Sequence, residues 1–117
     1  MRATHIFPNL RVPDIGAASG FYKDFLGLTT EDFNLGWVAR FTSADTGACV
    51  QLVTRDATSP EDSVISVATP DVHSAYDEAQ RLGYEIVHPL TTEAWGVTRF
   101  LVRAPDGNVI NVVNHRD

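Results

Sequence analysis

The 117-residue sequence has a single cysteine, no run of lysine or arginine, and no long apolar stretch. One cysteine cannot close an internal disulfide, and Cys49, set in Ala48-Cys49-Val50, reads as a small buried hydrophobe rather than a reactive thiol. With 9 basic against 15 acidic side chains and a net charge of -6, the chain lacks the clustered positive charge of a nucleic-acid binder. No segment approaches the roughly 18 apolar residues of a membrane span. The start, Met1-Arg2-Ala3-Thr4-His5, has no signal-peptide core and runs directly into a strand-like segment. A cytoplasmic protein with neither nucleic-acid nor membrane partners is therefore expected. The motifs of nucleophilic catalysis, Gly-x-Ser-x-Gly and Ser-x-x-Lys, are missing, as are glycine-rich phosphate loops and histidine pairs at helical spacing.

What is present is an ordinary globular balance, 44% apolar and 21% charged, in a length suited to one core. Apolar residues at Ile15, Ala18, Phe21, Tyr22, Phe25 and Leu26 follow a helical period, with Asp14 as N-cap and Gly27 just past the end. A second helix is predicted from Val72 to Leu82, with Val72, Ala75, Tyr76, Ala79 and Leu82 on one face, Asp71 before it and Gly83 after it. Strand patterns cover residues 6–12, 37–42, 48–54, 64–68, 85–87, 97–103 and 109–114. The polar stretch 55–62 reads as a connector.

The two halves repeat. Pro13-Asp14-Ile15 and Pro70-Asp71-Val72 open the helices, Leu26-Gly27 and Leu82-Gly83 close them, and residues 47–53 match residues 107–113. Three matches in the same order indicate an internal duplication with the pattern strand, helix, three strands. The modules fall at about 1–56 and about 63–117 of a single 1–117 domain.

The segments Arg11-Val12-Pro13-Asp14, Phe21-Tyr22-Lys23-Asp24-Phe25-Leu26-Gly27-Leu28 and Phe100 to Asn108, with its Pro105-Asp106-Gly107-Asn108 turn, carry a family resemblance. The chain resembles the vicinal oxygen chelate superfamily, which includes glyoxalase I, extradiol dioxygenases, fosfomycin-resistance enzymes and bleomycin-resistance proteins. The resemblance implies an α+β fold in which two tandem βαβββ modules form a paired, curved mixed sheet around a concave cleft. It also implies a homodimer. In metal-using members the ligands lie on the first and last strand of each module, and the corresponding positions here are Phe7, Gln51, Val64 and Asn111. Two apolar side chains and two neutral amides make no ordinary metal site, so neither a metal nor another cofactor is expected, and no catalytic residue is assigned.

Candidate ligand-binding residues are Trp37, Gln51, His88, Trp95, Arg99 and Asn111. The indoles offer flat surfaces for stacking, and the amides at the vacated ligand positions can donate and accept. His88 lies near a strand end, while His5, His73 and His115 read as surface imidazoles. Arg40 and Arg99 occupy comparable places in the two modules, each beside aromatics. Each stands on a solvated outer face, or, if turned inward, clamps a ligand carboxylate. Phe41 and Phe100 read as core. The expected function is metal-independent binding of a small molecule, with sequestration of a drug or metabolite as the outcome. The alternative is a metal-dependent lyase, isomerase or dioxygenase of the same superfamily.

Overall fold

The computed structural model describes residues 1–114; His115 lies outside them. The chain divides into two compact units, residues 7–57, and Met1–Ile6 together with the chain from Thr58 onward. The fold class is α+β, and each unit combines a short helical segment with a mixed sheet.

The first unit takes up β1 (His5–Arg11) from Phe7 on, followed by α1 (Ile15–Gly20), a π-helical turn (Phe21–Phe25), β2 (Thr30–Asn34), β3 (Val38–Thr42) and β4 (Cys49–Val53). Strands β2, β3 and β4 pair antiparallel, and β4 pairs parallel with β1. That parallel register begins at Asn9, just beyond Pro8, which has no N–H to give to a ladder. Alternation along the strands sends Ala39, Phe41, Val50 and Leu52 to the helix side, where they form a core with Val12, Ile15 and Leu28.

The second unit repeats the plan. Strand β5 (Ile65–Ala68) leads to α2 (Val72–Arg81), then β6 (Glu85–Thr92), β7 (Thr98–Arg103) and β8 (Val109–Asn114). Strands β6, β7 and β8 pair antiparallel, and β8 pairs parallel with β5. Val72, Ala75 and Ala79 of α2 are buried against Phe100 and Val112, and the Tyr76 ring meets Phe100 edge-on at 5.0 Å.

Both predicted caps form. Asp14 accepts from the Ala17 N–H at 3.1 Å, and Asp71 accepts from the Ser74 N–H at 3.0 Å. Gly27 (φ 74°) and Gly83 (φ 78°) take the left-handed conformation that lets the chain leave each helix without a Cβ penalty. Asp71→Ala removes one of these caps and should lower the unfolding free energy by about 1 kcal/mol, read as a lower urea midpoint, whereas Asp71→Asn should keep most of it.

The first helix departs from expectation. Asp14 to Gly27 spans one residue more than Asp71 to Gly83. That residue is absorbed by the π turn, in which the Leu26 N–H reaches back to the Phe21 carbonyl at 3.2 Å. The turn carries Phe21, Phe25 and Leu26 out of the core, so these residues are exposed despite their helical spacing. Leu82, beyond the end of α2, is also exposed. Strand β2 was not among the predicted strands, and β6 runs past Pro89 to Thr92 rather than stopping at Val87.

Candidate functional site

Each sheet has one face on its helix and one face turned away. The chemistry-bearing side chains sit on the second face. In the first unit, register places Asn9, Arg40 and Gln51 side by side across β1, β4 and β3. Gln51 is 5% exposed. Its Nε2 donates to Asn9 Oδ1 at 2.6 Å, and its Oε1 accepts from Arg40 Nε at 3.1 Å. The Arg40 guanidinium lies 4.0 Å from the centre of the Phe7 ring and 5.0 Å from that of Phe33. Burial pulls the Arg40 pKa below its usual value, and the nearby Asp32 opposes that shift. Arg40 is therefore not on a solvated outer face; it stacks on aromatic rings and holds the amide of Gln51. Half-buried Cys49 neighbours this group, and burial pushes its thiol pKa up, in keeping with an unreactive side chain. Trp37 precedes β3, and its carbonyl accepts from the Thr54 N–H at 2.9 Å.

In the second unit, one row crosses the sheet: His88 on β6, Leu101 on β7, Asn111 on β8 and Ser66 on β5. Register shifts on either side of His88 bring it opposite Leu101. Asn111 donates through Nδ2 to Ser66 Oγ at 3.0 Å. At the end of the row the β6–β7 turn folds Glu93 inward, where it is 9% exposed. Its Oε2 accepts from Arg99 Nε at 2.6 Å and lies 3.4 Å from His88 Nε2. Arg99 is 4% exposed, donates through Nη2 to Thr58 Oγ1 at 2.8 Å, and stands 5.2 Å over the Trp95 ring.

Two readings of Arg99 are corrected by this geometry. It is buried rather than solvated, because Glu93 supplies the counter-charge that permits burial. Nor is it the counterpart of Arg40. Arg40 pairs with Gln51, while the residue paired with Asn111 is Leu101, so the counterpart of Arg99 is Val38, which pairs with Val53 as Arg99 pairs with Val113.

His88, Trp95 and Arg99 thus come together around Glu93, and Asn111 shares the row of His88. Glu93 is the residue that sequence reasoning missed. A lone acid in a turn reads as solvated, and the signal for its burial was the arginine six positions on, across a tight hairpin.

Phe7 stands on the same face as Gln51, whereas Val64 lies before β5 and is exposed. At the positions the resemblance assigns to metal ligands, the polar partners are Asn9 for Gln51 and Ser66 for Asn111. Neutral amides and a hydroxyl do not fit a divalent transition metal, which calls for imidazole, thiolate or carboxylate donors. Among the described residues no three His, Cys, Asp or Glu side chains gather as a metal site. Among those residues, too, no helix is long and apolar enough to cross a membrane.

Comparison with known proteins accords with this architecture. The family model of the Glyoxalase/Bleomycin resistance protein/Dioxygenase superfamily matches residues 2–112. No curated protein matches the sequence. Among solved structures, a Legionella pneumophila protein described as an NAD-dependent benzaldehyde dehydrogenase superposes with a TM-score of 0.74 at 17% identity, covering 96% of this chain and 100% of its own. A glyoxalase/bleomycin resistance protein/dioxygenase superfamily member from Vibrio splendidus 12B01 gives 0.70 at 19% identity, covering 95% and 98%. An uncharacterised Methanosarcina mazei protein gives 0.71 at 19%, covering 99% and 95%. Identities this low carry the fold and say nothing of substrate. From the duplicated module and a family match over nearly the whole length, the chain belongs to the Glyoxalase/Bleomycin resistance protein/Dioxygenase superfamily.

Proposed function

We propose that this protein is a metal-independent small-molecule-binding member of its superfamily, which sequesters a drug or metabolite instead of transforming it. The observation that carries the reading is the donor set at the ligand positions: Gln51 and Asn111 engage Asn9 and Ser66, all four uncharged. Such groups orient a polar ligand by hydrogen bonds and cannot activate a metal-bound oxygen. In the second unit, Trp95 supplies flat apolar surface beside His88 and the Glu93–Arg99 pair. The reading includes a homodimer, which sedimentation velocity tests.

A second reading, a metal-dependent lyase, isomerase or dioxygenase, is favoured by one feature: His88 and Glu93, both ligand types, lie 3.4 Å apart and largely buried. Elemental analysis separates the two. After incubation with Mn, Fe, Ni and Zn salts and dialysis, metal well below one per chain is expected in every sample. One tightly held metal per chain would replace the binding reading with the enzymatic one.

A further inference from the structure

We infer that residues 58–61 of the connector form a strap that shuts the face of the second unit turned away from α2, and that a small molecule enters there when the strap lets go. The gating role rests on the small-molecule-binding reading above; the strap itself rests on its contacts.

The strap is clasped at two points on one strand. Arg99 donates through Nη2 to Thr58 Oγ1 at 2.8 Å, and Arg103 donates through Nη2 to Glu61 Oε2. Phe100 and Val102 of β7 pack toward α2, so Arg99, Leu101 and Arg103 share the opposite face. The clasps lie about 13 Å apart along the strand. Residues 58–61 span about 10 Å when extended, and the long arginine side chains bridge the remainder. A segment tied at both points crosses the row of His88, Leu101, Asn111 and Ser66. Burial agrees. The helix lies on the other face, yet Leu101 is fully buried and Ser66 is 3% exposed. Ser59, between the clasps, is itself 4% exposed, and its hydroxyl donates to the Glu61 carbonyl at 2.9 Å.

The clasps can open without disturbing the sheet. Arg99 is held by Glu93 at 2.6 Å and stands over Trp95, while Arg103 is held by Glu85 at 3.2 Å and by the Gly107 carbonyl at 3.1 Å. When Thr58 and Glu61 withdraw, neither guanidinium loses its counter-charge, so release strands no buried cation. The outer clasp is also light: the Arg103 and Glu61 side chains are 29% and 47% exposed, and exposed ion pairs contribute little. Release uncovers Asn111 Oδ1 and His88 Nε2, two buried polar atoms with no hydrogen-bond partner among the described residues. Water or an entering molecule would supply those bonds.

Thiol labelling tests the strap on the whole chain. In a Cys49→Ala background, Leu101→Cys places a thiol beneath the strap, and Val112→Cys places one in the core against α2. The reagent DTNB is itself a small aromatic molecule, so its rate reads admission directly. Adding Thr58→Val and Glu61→Ala together should speed labelling at Leu101→Cys by about tenfold or more and leave Val112→Cys within about twofold, as expected of a local opening. Ser66→Cys, on the same row and nearly isosteric, takes over should Leu101→Cys not fold. Unchanged labelling beneath the strap, or equal acceleration at both thiols, would overturn the inference. The binding reading fails on a different result, a stoichiometric metal, which leaves the labelling rates as they are.

Discussion

Glu93→Ala should lower the free energy of unfolding by about 3–5 kcal/mol, far more than loss of a surface ion pair, which is worth about 0–1 kcal/mol. The reason is the charge left behind. Arg99 is 4% exposed, and its Nε–H, now pointed at Glu93 Oε2, would lose its partner in a site that water scarcely reaches. The diagnostic measurement is a double-mutant cycle by urea denaturation. Adding Arg99→Met to Glu93→Ala should recover a large part of the loss, because an apolar side chain of similar length fills the site with no charge to desolvate. If the double variant is as unstable as the sum of the two singles, the buried pair is not a coupled unit and the explanation given for Arg99 is wrong.

Phe100→Ala should cost a comparable amount, about 3–5 kcal/mol, by a different route. Phe100 is 1% exposed on the helix side of β7, among Val72, Ala75, Ala79 and Val112, with Tyr76 edge-on at 5.0 Å. Truncation removes the transfer gain and leaves a cavity that β-sheet backbone cannot collapse to fill. Phe100→Leu keeps most of the volume, and its loss should stay near 1–2 kcal/mol. Calorimetry or urea unfolding distinguishes these outcomes. An alanine variant as stable as the leucine one would mean that the site relaxes and that α2 is not anchored by this ring.

Arg99, the partner of Glu93, and Phe100 are consecutive residues, and that adjacency shows where sequence reading reached its limit. Arg40-Phe41 and Arg99-Phe100 look like one dipeptide preserved in both copies. In the sheets they lie two residues out of register: Phe41 pairs with Val50 but Phe100 with Val112, whose counterpart in the first unit is Leu52. A two-residue slide keeps each side chain on its face, so alternation patterns cannot detect it; only hairpin length reveals it. Helix punctuation was legible because Asp caps and Gly exits act locally. Strand β2 was not, since Thr30-Glu31-Asp32-Phe33-Asn34 has one partly buried side chain and owes its form to pairing with β3. Gln51 and Asn111 were identified through the duplication, and the structure adds their partners. Glu93 and the engaged state of Arg99 needed the fold, because burial of a charge depends on what faces it and not on its neighbours in sequence.

The π turn at Phe21–Phe25 shows how such a chain can change length without being rebuilt. An extra residue in a strand would have inverted every side chain after it, and one in a regular helix would have rotated the next turn by about 100°. Here the surplus is confined to a single loop of backbone hydrogen bonding, and Leu28, immediately downstream, still reaches the core. Natural variants of this domain should accordingly gain and lose single residues at this turn more freely than elsewhere before β2, making it the place where the two ancestral copies could drift apart in length while keeping the same architecture.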